Sequence, residues 1–401
     1  TRQSAVMVGD TGVSQLSNSL VGRRVILAVT GGIAAVESIK LCRELRRHGA
    51  LVFPMMTKEA TKVITPLALS WGSGSDIVSD WDPDMSQLDG YDGIIVAPAT
   101  RNTIAKHLNG IIDSPVMMAL SAARGSNTPI IFVPSMHSDL FDDPVTGEIL
   151  SQLSAEGSHV ITDHEIEGKR KQPSHFRIVA EFSHIINSEL PGRKRVAITL
   201  GSNLAPIDHV RSIINYSSGI TGWSISEYLY RMGHDVFCLA GRTSTYPSFT
   251  MPKVIDAEHP EDMLDEALKI AASFSPEVWI FSAAVLDYLP VQVPAKIPSS
   301  KDEIQIKLTP SQKHIPRVIE ATGECYSIGF KLESNVNIRD LLESASTQIS
   351  RYSMDIVFAN RLEDLKNPST SRAWLVDSSG KTIEIPNLTS LCHKIESLLA
   401  N

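Results

Sequence analysis

Two stretches of the chain share one pattern, in which a short apolar run ends in small residues and a helix begins. They cover residues 25–33 and 195–202. In an open α/β sheet this turn follows the carboxyl end of a parallel strand, where glycine lets the backbone approach a ligand and the helix N-terminus favours an anion. Two such starts in a chain of 401 residues predict two fused nucleotide-handling domains.

Further apolar runs continue the pattern in both halves of the chain. They lie at residues 51–56, 93–97, 129–133, 196–199, 235–239, 278–283, 326–330, 355–359 and 373–376. The runs are continuous rather than alternating, which is typical of parallel strands covered on both faces. The predicted fold class is therefore α/β, with two doubly wound, mainly parallel, Rossmann-like domains.

Composition also predicts the domain boundaries. Residues 1–20 are polar and predict a loose arm, residues 21–189 the first domain, and residues 190–401 the second. The boundary depends on Leu190-Pro191-Gly192, which has the composition of a linker. Residues 290–301 are rich in proline and lysine and follow a strand's carboxyl end, so they predict a loop that covers a ligand.

The charge and cysteine content exclude several classes of protein. A formal net charge of −8 argues against nucleic-acid binding, which usually needs a basic face. We expect no membrane partner and no secretory signal, because no apolar run could span a bilayer and no basic start precedes an apolar block. The four cysteines show no CxxC pair, so we expect no disulfide framework and no zinc site. This use of cysteine favours a cytoplasmic location.

Polar motifs follow the predicted strands of the first domain. They read TGGIAA at residues 30–35, APATRNTIAK at 97–106 and PSMHSDLF at 134–141. Helix caps and turns use the same residue types, so each motif alone is compatible with a purely structural role. Three of them at strand ends of one domain favour a ligand site.

The second domain carries a further set of motifs. They read PIDHVR at residues 206–211, NYSSG at 215–219, AAVLDY at 283–288, KI at 296–297 and GFKLE at 329–333. Taken in order with the motifs of the first domain, they resemble the bifunctional phosphopantothenoylcysteine decarboxylase/phosphopantothenate–cysteine ligase family of coenzyme A synthesis. The resemblance extends from about Arg23 to the last residue.

For the first domain the resemblance implies a flavodoxin-like flavoprotein that uses FMN to decarboxylate 4′-phosphopantothenoylcysteine. His137 corresponds to the position that binds the substrate carboxylate and would be catalytic. The FMN contacts implied by the motifs are Gly31, Gly32, Thr57, Thr100, Asn102 and Thr103.

For the second domain the resemblance implies that CTP activates 4′-phosphopantothenate as an acyl-cytidylate, which then reacts with cysteine. Mg²⁺ or Mn²⁺ would assist. Lys296 corresponds to the family's triphosphate-binding lysine, and Asn215 to the asparagine at the acyl-cytidylate. Arg211 would neutralise the phosphate of phosphopantothenate, on the same side as Asn215 if that stretch is helical.

The remaining CTP contacts implied are Ala283, Asp287 and Phe330, with Asp287 also the candidate metal ligand. Each has a structural alternative. Asp287 could be a turn or helix cap, Asn215 a turn residue, Lys296 a solvated loop lysine and Phe330 a core side chain.

The chain departs from the family pattern at several positions. Residues 84–90 contain no histidine where the family usually has one, and His137 replaces an asparagine. In the second domain Ser202, Ala205, Gln348 and Tyr352 replace a glycine, a carboxylate and two lysines, while Arg351 lies beside the last of these.

The departures leave two alternatives open. The first domain could be a flavin-binding or assembly module without catalysis, or the whole chain could activate a different carboxylate. The resemblance also implies a homo-oligomer with trimer-based contacts in the first domain and dimer-based contacts in the second. The partners are otherwise small molecules, namely 4′-phosphopantothenate, cysteine and CTP.

Overall fold

The computed structural model describes residues 10–81, 85–163, 165–166, 169–298, 303–365, 367 and 369–400. The chain forms two compact units, residues 1–189 and 190–401. The division falls at the segment whose composition predicts a linker. None of the described helices is long and apolar enough to cross a membrane.

The first unit contains a five-stranded parallel sheet in the order β2-β1-β3-β4-β6. Its strands are β1 (Arg24–Val29), β2 (Leu51–Met56), β3 (Gly93–Ala99), β4 (Ile130–Pro134) and β6 (His159–Val160). Two-residue strands β5 (Met136–His137), β7 (Glu165–Ile166) and β8 (Lys169–Arg170) form a small antiparallel sheet. The strands predicted at residues 51–56, 93–97 and 129–133 are confirmed.

Helices cover the sheet of the first unit. They are α1 (Ser38–Arg47), α2 (Pro66–Ser73), α3 (Arg101–Leu108), α4 (Pro115–Gly125), α5 (Ser138–Phe141), α6 (Pro144–Ala155) and α7 (His175–Ser188). Short 3-10 turns occur at Ile33–Glu37, Ala60–Lys62 and Ser86–Leu88. The fully buried Phe132 and Phe182 lie in two apolar clusters, as expected for a sheet with both faces covered.

The described part of the predicted loose arm is packed against the first unit. The N–H of Leu16 donates to the carbonyl of Arg47 at 2.7 Å, and Leu20 is fully buried. The Asn187 side chain in α7 donates to the carbonyl of Ser19 at 2.8 Å. Residues 10–20 therefore belong to the unit, and a loose arm is the wrong description of them.

The second unit contains an eight-stranded sheet in the order β13-β12-β9-β14-β17-β18-β19-β20. Its strands are β9 (Arg195–Leu200), β12 (Asp235–Ala240), β13 (Val254–Asp256), β14 (Val278–Phe281), β17 (Tyr326–Glu333), β18 (Ile356–Arg361), β19 (Ala373–Asp377) and β20 (Thr382–Ile385). The pairs are parallel as far as β18, and the last two strands are antiparallel.

Two antiparallel hairpins lie outside the large sheet. They are formed by β10 (Leu204–Pro206) with β11 (Ser212–Ile214), and by β15 (Tyr288–Pro290) with β16 (Leu308–Pro310). The helices are α8 (Ile220–Arg231), α9 (Pro260–Phe274), α10 (His314–Thr322), α11 (Ile338–Tyr352) and α12 (Leu388–Leu399). All predicted strands of this half exist, although β14 ends at Phe281 rather than at residue 283.

Candidate functional site

The predicted flavin contacts lie at one edge of the first sheet. The strand order places the carboxyl ends of β2, β1, β3 and β4 side by side, and Thr57, Gly31 and Thr100 follow the first three of these strands. His137, in β5, follows the fourth. The edge is where open α/β sheets bind ligands.

The glycine turn after β1 is in close contact with its neighbours. A Cβ on Gly31 would lie 2.4 Å from Cβ of Glu59, and one on Gly32 would lie 3.4 Å from the ring of Pro98. Side chains at these positions would fill the space between the strand ends. The turn therefore keeps its backbone accessible at this edge.

Hydroxyl groups surround the start of α3. Thr100 caps this helix by accepting from the N–H of Thr103 at 3.4 Å, and the two hydroxyls are 3.0 Å apart. Asn102 is exposed in the first turn, and Thr57 accepts from the N–H of Ala60 at 3.3 Å. Hydroxyls beside a helix N-terminus suit a phosphate or a polar ring edge, so these residues fit a flavin nucleotide.

His137 is half-exposed at the end of β5. Its Nδ1 lies 3.3 Å from the Asp139 carboxylate and accepts from the N–H of Asp139. The segment without a histidine contributes Gln87 instead, which is almost completely buried, and its Oε1 has no partner among the described residues. The amide Nε2 of Gln87 contacts the sulfur atoms of Met85 and Met118.

A cavity of about 1460 Å³ lies in the second unit at the carboxyl ends of β9 and β14 and beside β17. Four of the predicted residues line it, namely Asn215, Ala283, Asp287 and Phe330. The structure therefore brings these four together, although they come from three separate segments of the sequence.

Helix α8 begins at the wall of this cavity. Gly219 precedes it with φ of 83°, and a Cβ there would lie 2.5 Å from the Thr243 side chain. Within the helix, a Cβ on Gly222 would lie 2.3 Å from Cβ of Leu200. Because only glycine fits both positions, the helix N-terminus comes close to the end of β9, and its positive dipole end lies at the cavity wall.

Asn215 follows β11 directly and is tied to the loop after β14. Its Nδ2 donates to the carbonyls of Ala284 at 3.2 Å and Val285 at 3.1 Å. These bonds use the amide donors and orient the amide oxygen. The side chain is fixed by a distant segment, which a simple turn asparagine would not need.

Phe330 lines the cavity and also packs against a second aromatic ring. Its ring stacks on Phe358 with centroids 5.5 Å apart. Asp287, in the loop between β14 and β15, forms an ion pair with Lys313. No group of three or more metal-ligating side chains occurs among the described residues.

Lys296 and Arg211 are absent from the cavity lining. Lys296 is exposed. Arg211 lies in the β10–β11 turn, where its guanidinium pairs with Asp208 at 2.6 Å and donates to the carbonyl of Ile297 at 3.2 Å. The stretch from Arg211 to Asn215 is a turn and a strand, so the expectation that depends on a helix there is wrong. Of the loop at 290–301, residues 299–301 lie outside the described part of the chain.

The residues that depart from the family pattern in the second unit lie either in the interior or at the cavity wall. Ser202 is buried, its hydroxyl donates to the carbonyl of Arg242 at 3.2 Å, and it is not among the residues that line the cavity. Ala205 is buried in β10. Gln348, Arg351 and Tyr352 all line the cavity, so a cation remains at this wall without the usual lysines.

Sequence reasoning missed further residues of the cavity. Arg372 donates to the Thr221 hydroxyl at 2.7 Å in the first turn of α8, and burial lowers its pKa. His314 is buried at the start of α10, and burial lowers its pKa to about 4. Neither lies in a family motif that we recognised, and only the fold brings them to the site.

Two family descriptions match the chain. Residues 13–186 match Flavoprotein, and residues 192–397 match the DNA/pantothenate metabolism flavoprotein C-terminal domain. The two units thus define a two-domain flavoprotein of pantothenate metabolism.

Relatives narrow the family further. The chain is 34% identical over 355 residues to the coenzyme A biosynthesis bifunctional protein CoaBC of Thermococcus kodakarensis, covering 86% of this chain and 87% of that protein. It is 32% identical to the CoaBC protein of Methanocaldococcus jannaschii, covering 86% and 85%. The chain belongs to the CoaBC family.

A solved structure is similar to part of the chain. The DNA/pantothenate metabolism flavoprotein from Streptococcus pneumoniae is 25% identical, with a TM-score of 0.46, over 51% of this chain and 99% of that one.

Proposed function

We propose that the second unit joins cysteine to 4′-phosphopantothenate with CTP. A carboxylate oxygen of phosphopantothenate attacks the α-phosphorus of CTP, and pyrophosphate leaves. The cysteine amine then attacks the acyl carbon of this acyl-cytidylate, and CMP leaves. The membership of the chain in the CoaBC family supports the ligase class.

The cavity at the strand ends is the observation that carries this proposal. It combines the N-terminus of α8, the oriented amide of Asn215 and the ring of Phe330. Both reactants are anions, so positive potential must be supplied where they meet. The helix end and Arg351 supply it at the wall, and Lys296 would add a cation from the neighbouring loop.

The metal would be held chiefly by the nucleotide. Mg²⁺ usually binds one or two carboxylates together with substrate phosphates rather than a cage of protein ligands. Asp287 fits this role as a single carboxylate at the cavity, and its ion pair with Lys313 would open when the metal arrives. Mn²⁺ would bind in the same way.

Pyrophosphate release from CTP tests the ligase. We expect release that requires phosphopantothenate and a divalent metal, and a loss of about 100-fold or more in Lys296→Gln. Lys194→Gln is the matched control, because Lys194 precedes β9 at the opposite edge of the sheet. Equal turnover in both variants would remove Lys296 from the site, and release with another acid alone would favour the alternative carboxylate.

For the first unit we propose FMN-dependent decarboxylation of 4′-phosphopantothenoylcysteine. When bound, FMN would accept electrons from the cysteine part and return them after carbon dioxide is lost. The glycine turn and the hydroxyls near α3 would hold it, and His137 would face the substrate carboxylate. We also propose that the protein acts as a homo-oligomer.

Flavin absorbance and carbon dioxide release separate the alternatives for this unit. A yellow protein that releases carbon dioxide is expected, with slower release in His137→Asn. A yellow protein without release would indicate a flavin-binding or assembly module, and a protein that takes up no FMN would contradict both.

A further inference from the structure

The β10–β11 hairpin is joined to the Lys296 loop at two points. The N–H of Val293 donates to the carbonyl of Ile207 at 2.9 Å, and the N–H of Ile297 donates to Asp208 at 3.1 Å. Residues 294–296 therefore form a short arc between two fixed positions. Lys296 is the last residue of that arc.

Asp208 is the centre of the second attachment. Its carboxylate is completely buried and accepts from the N–H groups of Val210 at 2.7 Å and Arg211 at 2.8 Å, as well as from Ile297. The bond from Ile297, together with those from Val210 and Arg211, holds the pKa of Asp208 well below its usual range. The carboxylate is thus charged and has several donors throughout the neutral range.

Arg211 completes the contact with the loop. One nitrogen of its guanidinium donates both to Asp208 at 2.6 Å and to the carbonyl of Ile297 at 3.2 Å. The N–H and the carbonyl of one loop residue are therefore both bonded to the hairpin. Ile297 is also nearly buried, so its side chain adds to the attachment.

The same hairpin ends at Asn215. Strand β11 leads from Arg211 directly to this residue, whose amide is fixed on the loop after β14. One short element thus determines the position of the amide and restrains the lysine loop. Asp208 belongs to the PIDHVR motif, but the motif alone does not indicate what its carboxylate does.

We propose that Asp208 is a positioning residue, which with Arg211 fastens Ile297 and so sets the place of Lys296 relative to Asn215. This inference extends the proposed ligase function. Arg211 then acts through the loop main chain, in addition to any contact with a substrate phosphate. The attachment itself is a property of the folded chain and does not depend on catalysis.

Hydrogen–deuterium exchange of the full chain tests the attachment without any activity. In Asp208→Asn the amides of Val293 and Ile297 should exchange about tenfold faster or more. Arg211→Gln should give a smaller increase and serves if the first variant folds poorly. Unchanged exchange in both variants would overturn the proposal.

Asp377→Asn is the matched control. Asp377 also accepts main-chain N–H bonds in a hairpin turn, from Ser379 at 2.9 Å and Lys381 at 3.0 Å, between β19 and β20. Exchange in residues 291–298 should not change in this variant. An equal increase there would show a general loss of stability rather than a local attachment.

A double-mutant comparison links the attachment to Lys296. With CTP and phosphopantothenate, Asp208→Asn should lower kcat/KM for CTP at least tenfold, since small displacements of a positioned group have effects of this size. In a Lys296→Gln background the same change should cost less than about twofold. Equal losses in both backgrounds would contradict positioning through Lys296. If the wild type shows no CTP-dependent reaction, the ligase proposal fails while the exchange result still decides the attachment.

Discussion

The two units hold their candidate side chains in different ways. In the first unit the side chains of Thr57, Thr100 and His137 bond to groups within three residues of themselves. In the second, Asn215 bonds to a carbonyl 70 residues away and Asp208 to an N–H 89 residues away. These three side chains of the first unit are thus held by local caps, whereas Asn215 and Asp208 in the second unit also contact distant segments.

This difference has a physical consequence. A local cap forms wherever its own turn forms, and its loss costs about as much as any helix cap. A distant contact exists only after the sheet has brought the segments together, so its loss displaces groups elsewhere in the site. Substitutions in the second site should therefore affect activity more than stability.

The largest effect is expected for Asn215→Ala. The variant loses both bonds to the loop after β14, so the ligase rate should fall about 100-fold, which corresponds to roughly 3 kcal/mol. Steady-state kinetics of pyrophosphate release measure it. Asn109→Ala is the control, because the side chain of Asn109 donates to the carbonyl of Ala105, four residues away, at the exposed end of α3. A loss of less than threefold would mean that the distant contact is not needed.

Next in size is a pH effect on the first unit. His107 in α3 is buried, and burial followed by the charge of Arg124 lowers its pKa to about 4. The unfolded chain binds the proton near pH 6.5, so between pH 6.5 and 4 it holds more protons than the folded chain. The free energy of unfolding should therefore decrease on acidification, by roughly 2 kcal/mol.

His107→Gln should remove that part of the pH dependence. Urea unfolding at pH 7 and pH 5 measures this pH dependence, with hydrogen exchange of peptides from residues 10–189 as the readout for the first unit. His314→Gln is the counterpart in the second unit, since burial also lowers the pKa of His314 to about 4. If either variant changed the pH dependence of hydrogen exchange equally in peptides of both units, the effect of the histidine would not be confined to its own unit.

A pair of glycine variants compares the packing of one helix from each unit. Gly222→Ala places a Cβ against Leu200 and should destabilise the second unit by about 2 kcal/mol. Gly147→Ala in α6 meets nothing within 4 Å and should stabilise the first unit by about 0.5–1 kcal/mol. Thermal unfolding of both variants gives the result, and a neutral Gly222→Ala would contradict the close approach of α8 to β9.

The smallest effect concerns two threonine caps of the first unit. Thr65 caps α2 by accepting from Ala68, as Thr100 caps α3. Thr65→Ala and Thr100→Ala should each cost about 1 kcal/mol of stability. Only Thr100→Ala should also weaken FMN binding, measured by flavin fluorescence. Equal FMN affinity in the two variants would mean that Thr100 only caps the helix and does not contribute to FMN binding.

The comparison also explains what the sequence could predict. The parallel strands, the turn after β1 and the cap at Thr100 depend on neighbouring residues, and their patterns predict them correctly. The hairpin from Leu204 to Ile214 is not predicted by such patterns, because its register depends on the antiparallel pairing of β10 with β11. The expectation for Arg211 and Asn215 that depends on a helix between them is wrong for the same reason. Arg372 and His314 reach the cavity only through the sheet order, which no local pattern specifies.

The contact of Asn187 with Ser19 has a consequence for how the first unit can be rearranged. Ser19, which precedes β1, therefore lies beside the end of α7. A permuted version, in which a short linker connects residue 189 to residue 19 and new termini are opened at the exposed turn near Gly157, should keep the same sheet and lose only the contacts that residues 10–18 make.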